Sequence, residues 1–243
     1  MNITTPAIVC TVLAHGESGA VVRVLTPANG LLAGYVRGGR SRRLRPVLQI
    51  GNSVNAVFRA RVEEQLAALT VELVRARTQL AADPLSAAAL EWLGALVAIT
   101  LPEGQASEGP YARFDALLDR MGTAVALDWT ADLARFELAL LADLGFGLEL
   151  THCAATGQEH DLAYVSPKSR TAVSRAAGSP FAGRLLPLPP FLSGSTAPDW
   201  RQVSDALTLT AYFLARDALD GRAARIMSAR ERLAHLVGRR GRD

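Results

Sequence analysis

Five arginines fall within nine positions of the stretch VRGGRSRRLRPVL, residues 36–48: Arg37, Arg40, Arg42, Arg43 and Arg45. A guanidinium is a rigid fork of N–H donors that engages two oxygens of a phosphate at once, so clustered arginine points to a polyanion. Gly38, Gly39 and Pro46 punctuate the run, which argues against a helix and predicts a flexible loop hinged at the glycines. Bond-making chemistry finds little to work with. The four histidines (His15, His152, His160, His235) are scattered and set no base beside a nucleophile. Neither GFG nor RGGR runs on into the Lys-Ser/Thr of a phosphate-cradling loop. Asp115, Asp119, Asp128 and Asp132 read as helix caps and exposed faces, not as a two-metal centre. The chain is expected to be no enzyme and to use no cofactor or metal.

Placement matters more than the charge total, because 25 arginines and the single Lys168 leave a net charge of only +3. A second basic cluster ends the chain: Arg225, Arg230, Arg232, Arg239, Arg240 and Arg242. With 49% apolar and 20% charged residues, the composition is that of a globular protein. Two distant cysteines, Cys10 and Cys153, make no disulfide framework and suit a reducing compartment. The N-terminus lacks the pattern of a secretory signal. The most apolar run, Ala87–Leu101, contains Glu91 and is too short to span a bilayer. A soluble cytoplasmic protein with no membrane partner is expected.

The arginines must be held by what flanks them. Ala7–Leu13, Ala20–Thr26 and Leu31–Val36 are short, β-rich and separated by the turn sequences HGESG and TPANG. Beyond the arginine run, Val54, Ala56, Phe58 and Ala60 alternate with Asn55, Val57, Arg59 and Arg61, giving a core face and a face with two more arginines. A turn near Glu63–Glu64 leads into Leu66–Val74. Five short strands with a long insertion after the third predict an OB-type barrel over residues 1–80, an SH3-like barrel being the alternative. Residues 81–243 read as helical, so the fold class is α+β. Asp83 and Pro84 open the first helix, and Pro110–Val125 forms the second. Thr130–Leu144 is expected to be capped by Thr130 and stopped by Gly145, and Trp200–Leu219 and Arg222–Val237 close the chain. An irregular insertion occupies about residues 151–195.

HGESGAVVRVLT, GYVRGGRSRRLRPVLQIGN, RFELALLADLGFGLELTHCAATG and YVSPKSRTAVS follow one another in an order that resembles the RecO family of bacterial recombination mediators, its proteobacterial members in particular. The resemblance runs from about Ala7 to Phe191. It implies an N-terminal OB-fold and an α-helical domain with a zinc-finger-like insertion. It further implies binding of single- and double-stranded DNA and annealing of complementary strands. Its implied partners are RecR, RecF, RecA and the acidic C-terminal tail of single-strand-binding protein, at the nucleoid.

A charge run is ordinarily a solvated loop. Here it adjoins Arg59 and Arg61 on a barrel type that takes single strands, so Arg37, Arg40, Arg42, Arg43, Arg45, Arg59 and Arg61 are read as DNA contacts. Tyr35 is a candidate for base stacking, though a core role is an even alternative. Lys168 and Arg170, in SPKSR, are a second phosphate contact or an exposed turn. Phe213, Arg216 and Arg225 are offered as an apolar, arginine-rimmed site for the acidic tail. Family members with a zinc site supply two pairs of cysteines; this chain keeps Cys153 and has Thr156, Ser174 and Ala177 at the other positions, so the insertion reads as degenerate and metal-free. The leading expectation is a DNA-repair mediator. A protein-docking adaptor with weak nucleic-acid affinity and an RNA-binding assembly factor are the alternatives.

Overall fold

Strand β1 (Asn2–His15) is long enough to serve two neighbours. Its first half pairs with β4 (Ser53–Arg59), from Asn2↔Arg59 to Ile8↔Ser53, and its second half with β2 (Gly19–Thr26). An irregularity between Val9 and Thr11 bends it from one partner to the other. Strand β3 (Gly30–Val36) follows β2, and β5 (Ala67–Arg75) joins β3 to β4. The barrel closes in the order β1-β2-β3-β5-β4, with β3–β5 parallel at Gly34↔Ala67 and Tyr35↔Ala68. That order is the OB topology and decides against the SH3-like alternative. Ala7, Val9, Val22, Val24, Leu32, Val54, Ala56, Phe58 and Leu69 fill the interior, as alternation requires.

The computed structural model describes residues 2–61, 65–106, 109–194, 196–219, 221 and 223–242; the side chains of 223–225 lie outside the described residues, as does the turn expected at Glu63–Glu64. Contacts divide the chain into two compact units, Met1–Thr123 with Arg225–Leu233, and Ala124–Ala224 with Ala234–Asp243.

In the first unit, helix α1 (Pro84–Thr100) begins as expected: Asp83 accepts from the Ser86 amide at 2.8 Å and Pro84 occupies the first turn. It is apolar on nearly every side because it is buried on nearly every side, and it lies against β1 and β2. Helix α2 (Pro110–Thr123) buries Phe114, Leu117, Leu118 and Met121.

Helix α3 (Ala126–Asp143) opens the second unit and corrects the expected cap. Thr130 sits one turn inside, where its hydroxyl donates to the Ala126 carbonyl at 2.6 Å, so the helix starts four residues earlier than the threonine suggested. Gly145, at φ +85°, ends the helix as anticipated. The segment read as irregular contains a three-stranded sheet, β6 (Leu162–Val165), β7 (Ala172–Ser174) and β8 (Leu186–Pro187) in the order β7-β6-β8, with short helices α4 (Arg175–Gly178) and α5 (Pro190–Ser193). Helix α6 (Trp200–Phe213) continues through a π turn at Leu214–Ala218, and α7 (Ala223–Arg240) closes the chain. No helix among the described residues is long and apolar enough to cross a membrane.

Candidate nucleic-acid interface

The connection between β3 and β4 carries the arginine run, and it is moored, which corrects the expectation of a flexible hinge. Leu44, Val47 and Leu48 recur at i, i+3 and i+4 and fold inward against the barrel core, Leu48 being only 4% exposed. Backbone bonds close successive turns, with Ser41 donating to Gly38, Arg45 to Ser41 and Leu48 to Leu44 at 2.9 Å each. The Arg40 amide donates to the Ser18 carbonyl at 3.0 Å, tying the run to the β1–β2 turn. Gly39 lies so close to β2 that a Cβ there would meet Ala20 Cβ at 2.8 Å. Its smallness serves the protein's own packing, not the approach of a strand. Asn52, fully buried, donates to the carbonyls of Pro46 at 2.9 Å and Val47 at 3.1 Å.

Moored apolar residues leave the cations outward. Arg37, Arg40, Arg42, Arg43 and Arg45 are exposed, as are Arg59 and Arg61. Among the described residues none of these seven pairs with a carboxylate; Arg40 Nη1 donates only to the Glu17 carbonyl, at 3.3 Å. Several other arginines are paired: Arg23 with Glu103, Arg75 with Asp119, Arg135 with Asp132, Arg175 with Asp161 and Arg232 with Glu91. Arg40 and Arg45 border a cleft of about 530 Å³ lined by Val12, Ala14, Ala20 and Leu48. Arg59 and Arg61 border another, of about 410 Å³, beside Asn2.

One side chain that the sequence reading passed over fixes this arrangement. Arg77, 2% exposed, donates from Nη1 to the Gly51 carbonyl and Ser53 Oγ, both at 2.8 Å, and from Nη2 to Asp115 Oδ1 and Asp119 Oδ1, both at 2.6 Å. Its amide donates to Asn52 Oδ1 at 2.8 Å. A chain of bonds therefore runs from α2 through Arg77 and Asn52 to Pro46 and Val47. Asp115 and Asp119 are thus ligands of a buried cation, not the exposed faces expected. Burial of Asp119 opposes its ionisation, but hydrogen bonds and charge from Arg77 and Arg75 outweigh it and hold the carboxyl below its usual range. The available signal was two carboxylates four apart on one helix face, with Arg75 and Arg77 flanking a strand end.

The remaining candidates separate. Tyr35 is half-buried on the outer face of β3. Lys168 is exposed. Arg170, in the left-handed region at φ +59°, donates to Asp217 at 3.2 Å and stands 5.6 Å over the Phe146 ring, so it is tied into its own unit. Arg216 pairs with the same Asp217 at 2.7 Å, donates to the Pro167 carbonyl and stacks over Tyr212 and Phe213. Phe213 is fully buried, which corrects its placement in a surface groove: it is core. Arg225's side chain lies outside the described residues.

Around Cys153, the Ser174 amide donates to the sulfur at 3.2 Å and the Ser174 hydroxyl lies 3.5 Å from it. Burial works against the thiolate, but bonds from Ser174, Thr156 and the Ala155 amide bring the thiol down to about 6. Cys153, Thr156 and Ser174 do come together as a small polar cluster. The described residues gather no three His, Cys, Asp or Glu side chains able to hold a metal, so the insertion's zinc-finger-like character is not shown.

The family model described as Recombination protein O N terminal matches residues 1–77, and that described as Recombination protein O C terminal matches residues 81–223. The DNA repair protein RecO of Xanthobacter autotrophicus is 45% identical over 231 residues, covering 95% of this chain and 94% of that protein. The protein of the same name from Bradyrhizobium sp. is 44% identical over 246 residues, covering 98% and 97%. That from Sinorhizobium medicae is 42% identical over 239 residues, covering 98% and 95%. A closed five-stranded barrel, a helical remainder, both family matches and this depth of identity lead to one conclusion: the chain belongs to the RecO family.

Proposed function

We propose that this chain is a cytoplasmic, nucleoid-associated DNA-repair protein that binds single- and double-stranded DNA through its β3–β4 connection and Arg59 and Arg61. On this reading it holds two strands close enough for complementary bases to pair. With RecR, and with RecF upstream, it helps RecA onto strands covered by single-strand-binding protein. The relatives, each a DNA repair protein RecO, support the repair role. One observation carries the DNA contact: seven guanidiniums gathered on one barrel stand exposed without a carboxylate partner among the described residues, while Arg23, Arg75, Arg175 and Arg232 are paired. Leaving that many cations unneutralised serves a polyanion, whose condensed counterions are released on binding. Annealing of this kind needs charge neutralisation and proximity but no bond-making group, so no enzymatic step is assigned. For the acidic tail of single-strand-binding protein, Phe213 drops out and Arg216 already has partners of its own.

A salt titration of single-stranded DNA binding tests the contact. Each phosphate neutralised on a single strand contributes about −0.7 to the slope of log K against log salt. Replacing Arg40, Arg42 and Arg43 by alanine is expected to flatten the slope by about 2 on that scale. An unchanged slope in the triple variant would overturn the reading and favour a docking adaptor.

A further inference from the structure

Strand register assembles a row of outward side chains that the arginine run does not include. Leu13 pairs with Val21, Val21 with Tyr35, Tyr35 with Ala68, Ala68 with Arg59 and Arg59 with Asn2. Directly paired residues project to one side of a sheet, and the alternate residues Val22, Val36 and Phe58 are in the core, so this row faces out. Part of the outer face is covered: Ile8, Cys10, Leu25 and Leu31 are buried. The row is not, for Leu13 is 60% exposed and Val21 and Tyr35 are half-buried. His15, exposed, meets the Tyr35 ring edge-on, with centroids 5.7 Å apart at 78°. Tyr35 reaches it by lying across Gly19, where a Cβ would come within 2.3 Å of the phenol oxygen. A glycine inside a strand weakens it, and here it makes room for the ring.

We propose that Tyr35, His15, Leu13 and Val21 form a platform for the unpaired bases of a single-stranded polynucleotide. This rests on the polyanion reading above and adds the part of the ligand that guanidiniums do not hold. The platform itself carries no carboxylate. Arg37 follows Tyr35 by two residues, Arg40 is bonded to the His15–Gly19 turn through Ser18 and Glu17, and Arg59 lies in the row beyond Ala68. Phosphates on these cations leave the bases over rings and methyl groups, an arrangement indifferent to sequence because every base has a π-face. Cations on both flanks favour this ligand over an apolar protein surface.

The experiment compares the full-length protein with a His15→Ala/Tyr35→Leu variant, which keeps an apolar side chain over Gly19. Three fluorescent probes are used: a single strand, the same strand with abasic positions, and a duplex. Stacking predicts a roughly ten-fold loss of affinity for the normal strand, with abasic and duplex binding and the salt slope unchanged. Equal loss on normal and abasic strands, or no loss on the normal strand, overturns the platform. If the double variant misfolds, His15→Ala alone, at an exposed position, carries the same comparison with a smaller expected loss. The Arg40, Arg42 and Arg43 triple variant runs alongside. If it loses affinity while the platform variant does not, only the platform falls; if neither does, the polyanion reading falls with it.

Discussion

Two buried thiols in this chain have opposite surroundings. Burial pushes Cys10 up to about 12, outweighing an opposing bond with the Leu25 backbone. Cys153 is buried too, but donors from Ser174, Thr156 and Ala155 bring it down to about 6. A thiolate absorbance titration of the folded protein should therefore show one transition near pH 6, absent in Cys153→Ala, and none from Cys10 below pH 9. A folded value below the unfolded one, about 8.5 for a free cysteine, gives a contribution fully present above that value and lost as pH falls through about 6. Wild type should thus gain stability between pH 6 and 8 relative to Cys153→Ala, read by denaturant midpoints. At this scale the sequence located Cys153 and the positions Thr156 and Ser174, but donor geometry depends on a fold that spacing does not contain. It likewise put Phe213 at the surface, because a phenylalanine at helical spacing reads the same on either side of a helix until its neighbours are known.

Elements were the most legible level. β-rich runs between turns and, for the last two strands, apolar alternation marked all five barrel strands, but β1 starts five residues before the expected Ala7 because its first half pairs with β4. Asp83 and Gly145 marked a helix start and a helix end by backbone chemistry alone. The β3–β4 connection was misjudged as flexible because Leu44, Val47 and Leu48 were counted as part of a charge run instead of as an apolar anchor. Arg77 was missed because a buried arginine looks like any other in a sequence rich in them. Its role gives an element-scale prediction. Arg77→Ala takes the buried cation from Asp115, leaves Asp119 with Arg75 alone, and frees the Gly51 carbonyl and Ser53 Oγ, while the bond from the residue-77 amide to Asn52 stays. Breaking a buried pair costs about 3–5 kcal/mol, reduced here to roughly 2–4 because both carboxylates are partly exposed. The drop in unfolding free energy should come with faster amide exchange at Asn52 and Ser53, next to the freed Gly51 carbonyl. On the acid side, the Asp119 contribution is full above about pH 4, the unfolded range, and fades as pH falls through its lower folded value. Asp119→Asn should remove that part of the acid-side slope in wild-type stability.

For the molecule as a whole, strand annealing is the output that the proposed function predicts. The barrel unit presents the unpaired cations, and the second unit adds exposed Lys168, Arg239, Arg240 and Arg242. Holding two polyanions at once requires basic surface beyond one strand's needs, so the purified protein should speed pairing of complementary oligonucleotides with no nucleotide present. The Arg40, Arg42 and Arg43 triple variant should be slower, and added ATP should change neither rate. Equal annealing by wild type and variant would move the activity away from the barrel. Family membership was legible from ordered motifs alone; the surface proposed for DNA was not, because it depends on which arginines the fold leaves without a carboxylate. The anchoring of Leu44, Val47 and Leu48 has one more effect. A floppy cationic tether surrenders backbone freedom when it grips its target, about 1–2 kcal/mol for each residue fixed. Here the main chain beneath the charges has already given up that freedom at folding, so on the proposed function a strand would meet a cast template whose spacing is set in advance.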